Sequence, residues 1–355
     1  MTYDFIHRSL PMRVRFAAGS RKHLGDELDE LGLGRVLVLC SPGHHVGDDI
    51  VETLEKRSVG LYPHAVMHVP TEVAEQASAK AVELGADGCV SIGGGSAIGL
   101  GKAIALKHGL PVVAVPTTYA GSEMTPVWGM TTNGRKETGR DLAVLPRSVV
   151  YDPELTTSLP VEMSVTSAFN AMAHAVEGLY APDTDPIVSL LAEDGVRAIA
   201  AALPKLVADP GAIDPRGEVL YGAWLCGATL GATTMSLHHK LCHALGGTLN
   251  LPHAQTHTVV LPHVLAFNQS EASAAVAALD RALPGDGDPA TRLWRLEHEL
   301  DAPTSLAELG MAERDIERIV AEVTARPYGN PRPVTPDDVR CILGAAWSGR
   351  EPRQI

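Results

Sequence analysis

The stretch DGCVSIGGGSAIGLGKAIALKHG at 87–109 decides the fold of the first half of this chain. It begins with a continuous apolar run at 87–93, which is typical of a strand buried on both faces of a parallel sheet. It then passes through Gly93, Gly94, Gly95 and Ser96 into a helical pattern. Glycines let the backbone approach a ligand closely, and a helix N-terminus presents free N–H groups to an anion. The stretch therefore predicts a strand–turn–helix unit that binds a phosphate or pyrophosphate.

The spacing of these glycines matches neither common phosphate motif, so a glycine turn that only packs a strand against a helix is the alternative. A P-loop needs glycine where Ser96 stands and Ser or Thr after Lys102, and no GxGxxG can be placed here. A second loop, VPTTYAGSEMTP at 115–126, favours ligand binding because it follows the next strand and is polar. Its candidate ligand-binding residues are Thr117, Thr118, Tyr119 and Ser122. Because parallel strands share their carboxyl edge, the two loops should meet there and suit a dinucleotide.

Strand and helix patterns alternate on both sides of this stretch. Further buried strands are predicted at RVLVLC (35–40), LPVVAVP (110–116) and RSVVYD (147–152), and amphipathic helices at 46–57 and 71–85. Thr71 is placed to cap the second of these helices, and Gly85 to end it. TTNGRKET (131–138) carries an Asn-Gly hairpin signal. The alternation predicts a doubly wound, mostly parallel α/β domain over residues 1–155 that binds NAD(P).

The end of the first of these strands bears on the choice of nicotinamide cofactor. An acidic residue there would hydrogen-bond the ribose 2′-hydroxyl and repel a 2′-phosphate. Here RVLVLC runs into Ser41, Pro42 and Gly43, with no carboxylate. We therefore expect Ser41 to lie at the cofactor and the protein to accept NADPH as well as NADH.

The pattern changes after Pro153. Strand signals nearly vanish, and helical periods follow at 162–181, 187–208, 215–236, 254–285 and 312–325, separated by proline-containing breaks. The sequence therefore predicts an all-α domain over residues 156–355, with an active site in the cleft between the two domains.

Six of the fifteen histidines lie in one segment of this helical half, LHHKLCHALGGTLNLPHAQTHTVVLPH at 237–263. His239 and His243 are four residues apart and would share one helical face, and His253 returns after a Gly-Gly turn and a proline. Upstream, Asn170, His174 and Glu177 share another helical face. Imidazoles bind metals and move protons near neutral pH, so the cluster indicates chemistry. For His174 taken alone, the alternative is a core histidine whose hydrogen bonds are satisfied within the protein.

Composition restricts the class of protein. Hydrophobic residues make up 45% and charged residues 20%, which is typical of a globular chain. The net charge of −13 comes without a block of Lys or Arg, which argues against nucleic-acid binding. Five scattered cysteines without a CxxC pair indicate reduced thiols, and no run is apolar and long enough to span a bilayer. We expect a cytoplasmic protein that does not insert into a membrane.

The order of these motifs resembles the iron-containing alcohol dehydrogenases and their dehydroquinate-synthase-like relatives. The shared order is a GGGS loop, a PTT…GSE loop, a D-x-x-x-H helix and H-x-x-x-H…P-H. The resemblance implies a homodimer, and a divalent metal held at the positions of Asn170, His174, His239 and His253. It also implies that His243 lies beside the nicotinamide and relays protons, and that Lys136 lies near the cofactor ribose. A solvated hairpin lysine is the alternative for Lys136.

Further strings, among them GRKETGRDLAVLPRSVVYDPELT (134–156), NAMAHAVEGLYA (170–181) and NPRP (330–333), resemble the branch of this family that reduces maleylacetate. That resemblance implies NADH- or NADPH-dependent reduction of the enone double bond of a small dicarboxylate, giving 3-oxoadipate in aromatic compound degradation. It implies catalytic roles in proton transfer and enolate stabilisation for His243, His239, His253 and His174. We take His243 as the principal acid/base residue.

Two residues depart from the broader family. Asn170 stands where the family has an aspartate ligand, and Gly99 stands where GGGSxxD has its acidic residue. Losing an anionic ligand lowers affinity for hard cations such as Fe²⁺, although three histidines still suit zinc. We therefore predict no metal or a weakly held one. The alternatives are a metal-dependent (Fe or Zn) alcohol or aldehyde dehydrogenase, a dehydroquinate-synthase-like cyclase, and a histidine-rich metal-binding protein without enzymatic activity.

Overall fold

The computed structural model describes residues 4–43, 45–132 and 135–353, without the side chain of Lys136. These residues form two compact units. Ser9–Leu159 together with Gly211–Leu220 form one, called the α/β unit below. Met1–Arg8, Pro160–Pro210 and Tyr221–Ile355 form the other, called the helical unit.

A six-stranded sheet forms the centre of the α/β unit, and every neighbouring pair in it is parallel. Its strands, in chain order, are β1 (Arg13–Phe16), β2 (Val36–Leu39), β3 (Ser58–Tyr62), β4 (Gly88–Gly93), β5 (Val112–Pro116) and β8 (Ser148–Tyr151). Their order across the sheet is β1-β8-β5-β4-β2-β3. The four predicted strands are all present, which confirms the parallel α/β fold.

Sequence patterns missed the two edge strands, β1 and β3, because most of their side chains are only partly buried. A strand of this kind lacks the continuous apolar run that marks a fully buried one. By contrast, every residue of β2, β4, β5 and β8 is buried.

Helices cover both faces of this sheet. The first four are α1 (Leu24–Glu30), α2 (Val46–Leu54), α3 (Thr71–Glu83) and α4 (Gly95–His108). Side chains alternate along β2: Val36 and Val38 pack with α1 and α2, whereas Leu37 and Leu39 pack with α3 and α4. The sheet is therefore doubly wound, as the sequence predicted.

The start of α3 differs from the prediction. Pro70 is the N-cap, and Thr71 is the first helical residue, with its Oγ1 2.7 Å from Thr132 Oγ1. Thr71 therefore ties the helix to the neighbouring hairpin and does not cap it. At the other end, Gly85 has φ +61° just past the helix, which confirms its predicted role as the stop.

Strands β6 (Val127–Thr132) and β7 (Arg135–Arg140) pair as an antiparallel hairpin that follows the second polar loop. This agrees with the hairpin signal at 131–138. Asn133 and Gly134, on which the turn prediction fell, lie outside the described residues.

The remaining helices are α5 (Val161–Leu179), α6 (Pro186–Ala208), α7 (Ile213–Ala232), α8 (Leu237–Leu249), α9 (His253–Asn268), α10 (Ser273–Ala282), α11 (Pro289–Glu299), α12 (Ile316–Thr324) and α13 (Pro336–Ser348). No strand occurs among the described residues of the helical unit. The predicted period 254–285 is two helices, α9 and α10, and α11 and α13 were not predicted. Within 4–43, 45–132 and 135–353, no helix combines the length and apolarity that a membrane span requires.

Lys102, on α4, joins the two polar loops of the α/β unit from inside. Its side chain is buried, and its ammonium group donates to the carbonyl oxygens of Ser122, Thr125 and Val127 at 2.6, 2.8 and 2.8 Å. Burial lowers the pKa of Lys102 to about 7, and the nearby Glu123 opposes this shift. Three carbonyls match the three N–H bonds of an ammonium ion, so Lys102 holds the loop after β5 to the helix after β4.

Lys102→Met should lower the free energy of unfolding by about 3 kcal/mol, because three carbonyls at the buried end of this side chain lose their donor. Urea denaturation followed by circular dichroism measures the change. Lys107→Met is the control, since Lys107 is exposed on the same helix and should change stability by no more than about 0.5 kcal/mol. Equal stabilities of the two variants would show that Lys102 does not hold the loops.

Candidate active site

Three loops of the α/β unit lie side by side at the carboxyl edge of the sheet. Ser41 follows β2, Gly93–Ser96 join β4 to α4, and Thr117–Ser122 follow β5, and these three strands are neighbours in the order β5-β4-β2. The Thr117 N–H donates to the carbonyl of Gly93 at 3.2 Å. A Cβ added to Gly94 would lie 3.1 Å from the Thr118 side chain, so the two glycine-containing loops touch.

The start of α4 has the features of an anion site. Its N-cap, Gly94, supplies no side-chain cap, and the first turn contains no acidic residue. Gly95 is exposed, and a Cβ there would meet nothing within 4 Å. The backbone N–H groups of this helix end are therefore open to a bound phosphate.

Gly99, which stands where the family motif has an acidic residue, is closely packed. A Cβ at Gly99 would lie 2.8 Å from Cγ2 of Val69. Val69 is buried, so it occupies the space that a side chain at position 99 would need. This departure therefore leaves no room for a carboxylate at Gly99.

The other predicted cofactor residues differ in how they are placed. Ser122 is half-buried in the loop after β5, where its carbonyl oxygen and hydroxyl contact Lys102. Tyr119 is fully buried, and hydrogen bonds to Thr156 and Arg216 partly offset the rise in the pKa of Tyr119 that burial causes. Lys136 lies on β7, and its side chain is outside the described part of the structure.

In the helical unit, α5, α8 and α9 bring the histidines together. The ring centroid of His239 lies 5.1 Å from that of His174 and 6.1 Å from that of His243. The ring of His253 lies 4.4 Å from that of His257, which in turn lies 4.9 Å from His239. The four predicted catalytic histidines therefore form one cluster. His243 and His253 are exposed, whereas His174 and His239 are buried.

Glu177, at the end of α5, organises this cluster. Its carboxylate is buried and accepts hydrogen bonds from the backbone N–H groups of Ser236, His238 and His239 at 3.0, 2.7 and 3.3 Å. It also lies 2.7 Å from Nδ1 of His239. Because a carboxylate only accepts, Nδ1 is the donor and Nε2 of His239 is left for a ligand. The sequence had placed Glu177 on the face of His174 without assigning it a role.

A second pair of histidines lies deeper in the same unit. His238 Nε2 and His257 Nδ1 are 2.9 Å apart, and both side chains are fully buried. Burial, with the neighbouring imidazoles adding to it, holds the pKa values of His174, His238 and His257 well below their usual range. His257 on α9 is therefore paired with a histidine on α8.

Five buried polar atoms among Asn170 and these histidines have no hydrogen-bond partner among the described residues. They are Asn170 Oδ1, His174 Nδ1, His238 Nδ1, His239 Nε2 and His257 Nε2. Buried polar atoms are nearly always paired, so unpaired ones on neighbouring side chains indicate a place for a polar ligand. Within the described part of the chain, His238, His239 and His257 each place a possible metal-ligand atom within 4.8 Å of the other two, and this group includes no carboxylate.

Glu177→Gln should lower the free energy of unfolding by about 2 kcal/mol, because an amide nitrogen would then oppose the donors at the start of α8. Urea denaturation measures the loss. Glu162→Gln is the control, since Glu162 is exposed in the first turn of the same helix. A loss no larger than that of the control would contradict the role given to Glu177.

Family comparisons cover nearly the whole chain. The family model described as iron-containing alcohol dehydrogenase matches residues 11–153, and the model of the C-terminal part of the Fe-containing alcohol dehydrogenase family matches residues 164–347. The two matches correspond to the halves that contain the polar loops and the histidine cluster, respectively.

Individual relatives agree with this assignment. The chain is 51% identical to the maleylacetate reductase of Burkholderia cepacia, over 98% of this chain and 99% of that protein. It is 52% identical to the maleylacetate reductase of Sphingobium indicum, with the same coverage. The crystal structure of maleylacetate reductase from Agrobacterium tumefaciens superposes with a TM-score of 0.96 at 45% identity, over 99% of this chain and 100% of that one. The chain therefore belongs to the maleylacetate reductases of the iron-containing alcohol dehydrogenase family.

Proposed function

We propose that this protein reduces the enone double bond of maleylacetate to give 3-oxoadipate, as a step in aromatic compound degradation. When bound, the reduced nicotinamide supplies the hydride. The identity of about half of all residues to maleylacetate reductases over the full chain supports this activity. The unpaired polar atoms among the histidines support a site for a polar substrate there.

The α/β unit is proposed to hold the cofactor through its three adjacent loops. The open N-terminus of α4 suits the pyrophosphate, and Gly93, Gly94, Gly95, Ser96, Thr117, Thr118 and Ser122 line the loops around it. Tyr119 supports the loop from its buried position, and Ser41 lies at the end of β2. With no carboxylate at Ser41, both NADH and NADPH are proposed cofactors.

The substrate is proposed to react at the histidine cluster. The alkene carbon β to the ketone accepts the hydride, and the ketone oxygen takes up the negative charge of the enolate. Donors that are already oriented stabilise such charge well, and Glu177 orients His239. His243, which is exposed and 6.1 Å from His239 between ring centroids, is the proposed acid that protonates the α carbon. His174 and His253 complete the cluster.

The donor set does not fit an iron site. Its members are an amide and three imidazoles, and none of them carries a negative charge. They are Asn170, His174, His239 and His253. The nearby carboxylate, Glu177, already accepts four hydrogen bonds and is not free to replace the missing aspartate. Non-haem iron(II) sites typically combine imidazoles with a carboxylate, and this set has no free carboxylate. We therefore propose a reaction without a resident metal, in which these side chains act on the substrate directly.

The family also suggests a homodimer, which we retain as a proposal. Ile6, Ile187 and Leu190 are exposed apolar residues of the helical unit. His7 Nδ1 lies 2.8 Å from Asp185, so the chain at His7 lies beside the start of α6, where Ile187 and Leu190 are found. An apolar patch of this kind suits a second copy of the chain.

A cytoplasmic location is proposed from five free cysteines, of which four are buried.

NADH oxidation with maleylacetate, measured with and without a strong chelator, tests the proposed function. The expected result is steady NADH consumption that the chelator leaves unchanged, with no stoichiometric Fe or Zn in the purified protein. Loss of activity on chelation and its recovery with metal would favour the metal-dependent alcohol or aldehyde dehydrogenase. NAD⁺ retained without turnover of maleylacetate would favour the cyclase.

His243→Ala should reduce kcat about a hundredfold or more, because the reaction loses its general acid. The dissociation constant of NADH, measured from its fluorescence, should change by less than about twofold, since the cofactor loops lie in the α/β unit. His298→Ala is the control, because His298 is exposed on α11. Turnover that survives in His243→Ala would show that another group donates the proton.

A further inference from the structure

Tyr328 carries a polar group that nothing in the described structure satisfies. Its hydroxyl oxygen is buried and has no hydrogen-bond partner among residues 4–43, 45–132 and 135–353. Burial, followed by the field of Glu177, raises the pKa of Tyr328 to about 12. The hydroxyl is therefore protonated at neutral pH and lies near the carboxylate that orients His239. A buried hydroxyl without an acceptor costs free energy, and a bound ligand that accepts its hydrogen bond removes that cost.

Lys240 lies directly beside this hydroxyl-bearing ring. Its ammonium nitrogen is 5.9 Å from the ring centroid of Tyr328. It is half-buried on α8, immediately after His239, and forms no ion pair with any described residue. In a chain of net charge −13, a lysine without a carboxylate partner at the histidine cluster is a free positive charge.

The N–H and O–H donors of Lys240 and Tyr328 are not used by Glu177. Each of its oxygens already accepts from the start of α8, one from His238 and the other from Ser236 and His239. Neither Lys240 nor Tyr328 hydrogen-bonds to it. The negative charge of Glu177 is thus matched by other donors, and the pair keeps its capacity for an external anion.

The segment that carries Tyr328 is held firmly in the helical unit. Asn330 and Asn268 exchange two amide hydrogen bonds, at 2.7 and 3.1 Å. The Arg332 guanidinium lies 4.3 Å from the ring centroid of Phe267. Both anchors are on α9, the helix that carries His253 and His257. The position of Tyr328 relative to the histidines is therefore set by the fold, which is what a specific binding site requires.

We propose that Lys240 and the Tyr328 hydroxyl together bind one of the two carboxylates of the substrate and select for a dicarboxylate. This inference rests on the proposed function. A cation and a neutral phenol donor on adjacent side chains offer a carboxylate one charge-assisted and one ordinary hydrogen bond. Lys240 follows His239 on α8, and Tyr328 lies in the field of Glu177, the carboxylate that orients His239, so the pair belongs to the same part of the helical unit as the imidazoles.

Steady-state kinetics of Lys240→Met and Tyr328→Phe test the proposal. Each variant should raise the KM for maleylacetate about tenfold or more, because a bond to a charged group is lost. The dissociation constant of NADH should remain within about twofold of the original. Lys205→Met, at an exposed lysine of the same unit, should leave both values unchanged. A KM within about twofold of the original in both variants would overturn the proposal.

Thermal unfolding separates a binding role from a structural one. Tyr328→Phe removes a buried hydroxyl that has no partner, so the unliganded variant should be as stable as the original or more so. Tyr221→Phe is the matched control, because the Tyr221 hydroxyl donates to Asp194 at 2.9 Å and its loss should lower the melting temperature. A destabilised Tyr328→Phe would mean that the hydroxyl is structural.

Competitive inhibition by three acids identifies the ligand group. Levulinate and 3-oxopentanoate are 3-oxoadipate with one or the other carboxylate replaced by hydrogen. In the original protein, the inhibition constant of one of these two monocarboxylates should be about tenfold higher than that of 3-oxoadipate. In Lys240→Met, the two inhibition constants should differ by no more than about twofold. A difference that remains about tenfold in Lys240→Met would overturn the proposal.

Binding of the same acids is also measured by thermal shift with NADH present, so the anion site is tested even if maleylacetate is not turned over.

Discussion

The carboxylate of Glu177 is the interaction on which the helical unit depends. It accepts from three backbone amides at the start of α8 and from the ring of His239. The amide bonds determine where α8 begins, and therefore which of its residues lie beside α5. The bond to Nδ1 assigns the proton on His239 and leaves Nε2 available. A buried carboxylate without these donors would be too costly to keep, so the helix start and the site stabilise each other.

Lys102 has the corresponding role in the α/β unit, with the opposite charge. Its ammonium group satisfies carbonyls of the loop after β5 while belonging to the helix after β4. In each unit, one buried charged side chain whose partners are mainly backbone groups joins two elements that carry functional residues. Such charges cost free energy to bury, and an apolar residue would leave the backbone groups unpaired.

Replacing an aspartate by Asn170 changes what the histidine cluster is suited to bind. With a carboxylate, three imidazoles and an anion would hold a cation. With an amide, the same side chains present neutral donors and acceptors, and Lys240 and Tyr328 add positive charge and a free hydroxyl nearby. In the proposed function, this balance of charge suits an anionic substrate. The exposed His243 and His253 give protons a route to solvent.

The sequence by itself determined the fold class, the two glycine-containing loops and the set of histidines, because each depends on residues that are close together in the sequence. Buried strands appear as apolar runs, and residues four apart on a helix share a face. It did not reveal β1 and β3, whose exposed edges lack such runs, or the roles of Lys102, Glu177 and Tyr328. Those roles depend on partners at least 20 positions away in the chain, such as the 62 positions between Glu177 and His239. Only the tertiary structure decided them, because whether a buried polar group is paired depends on what the fold brings against it.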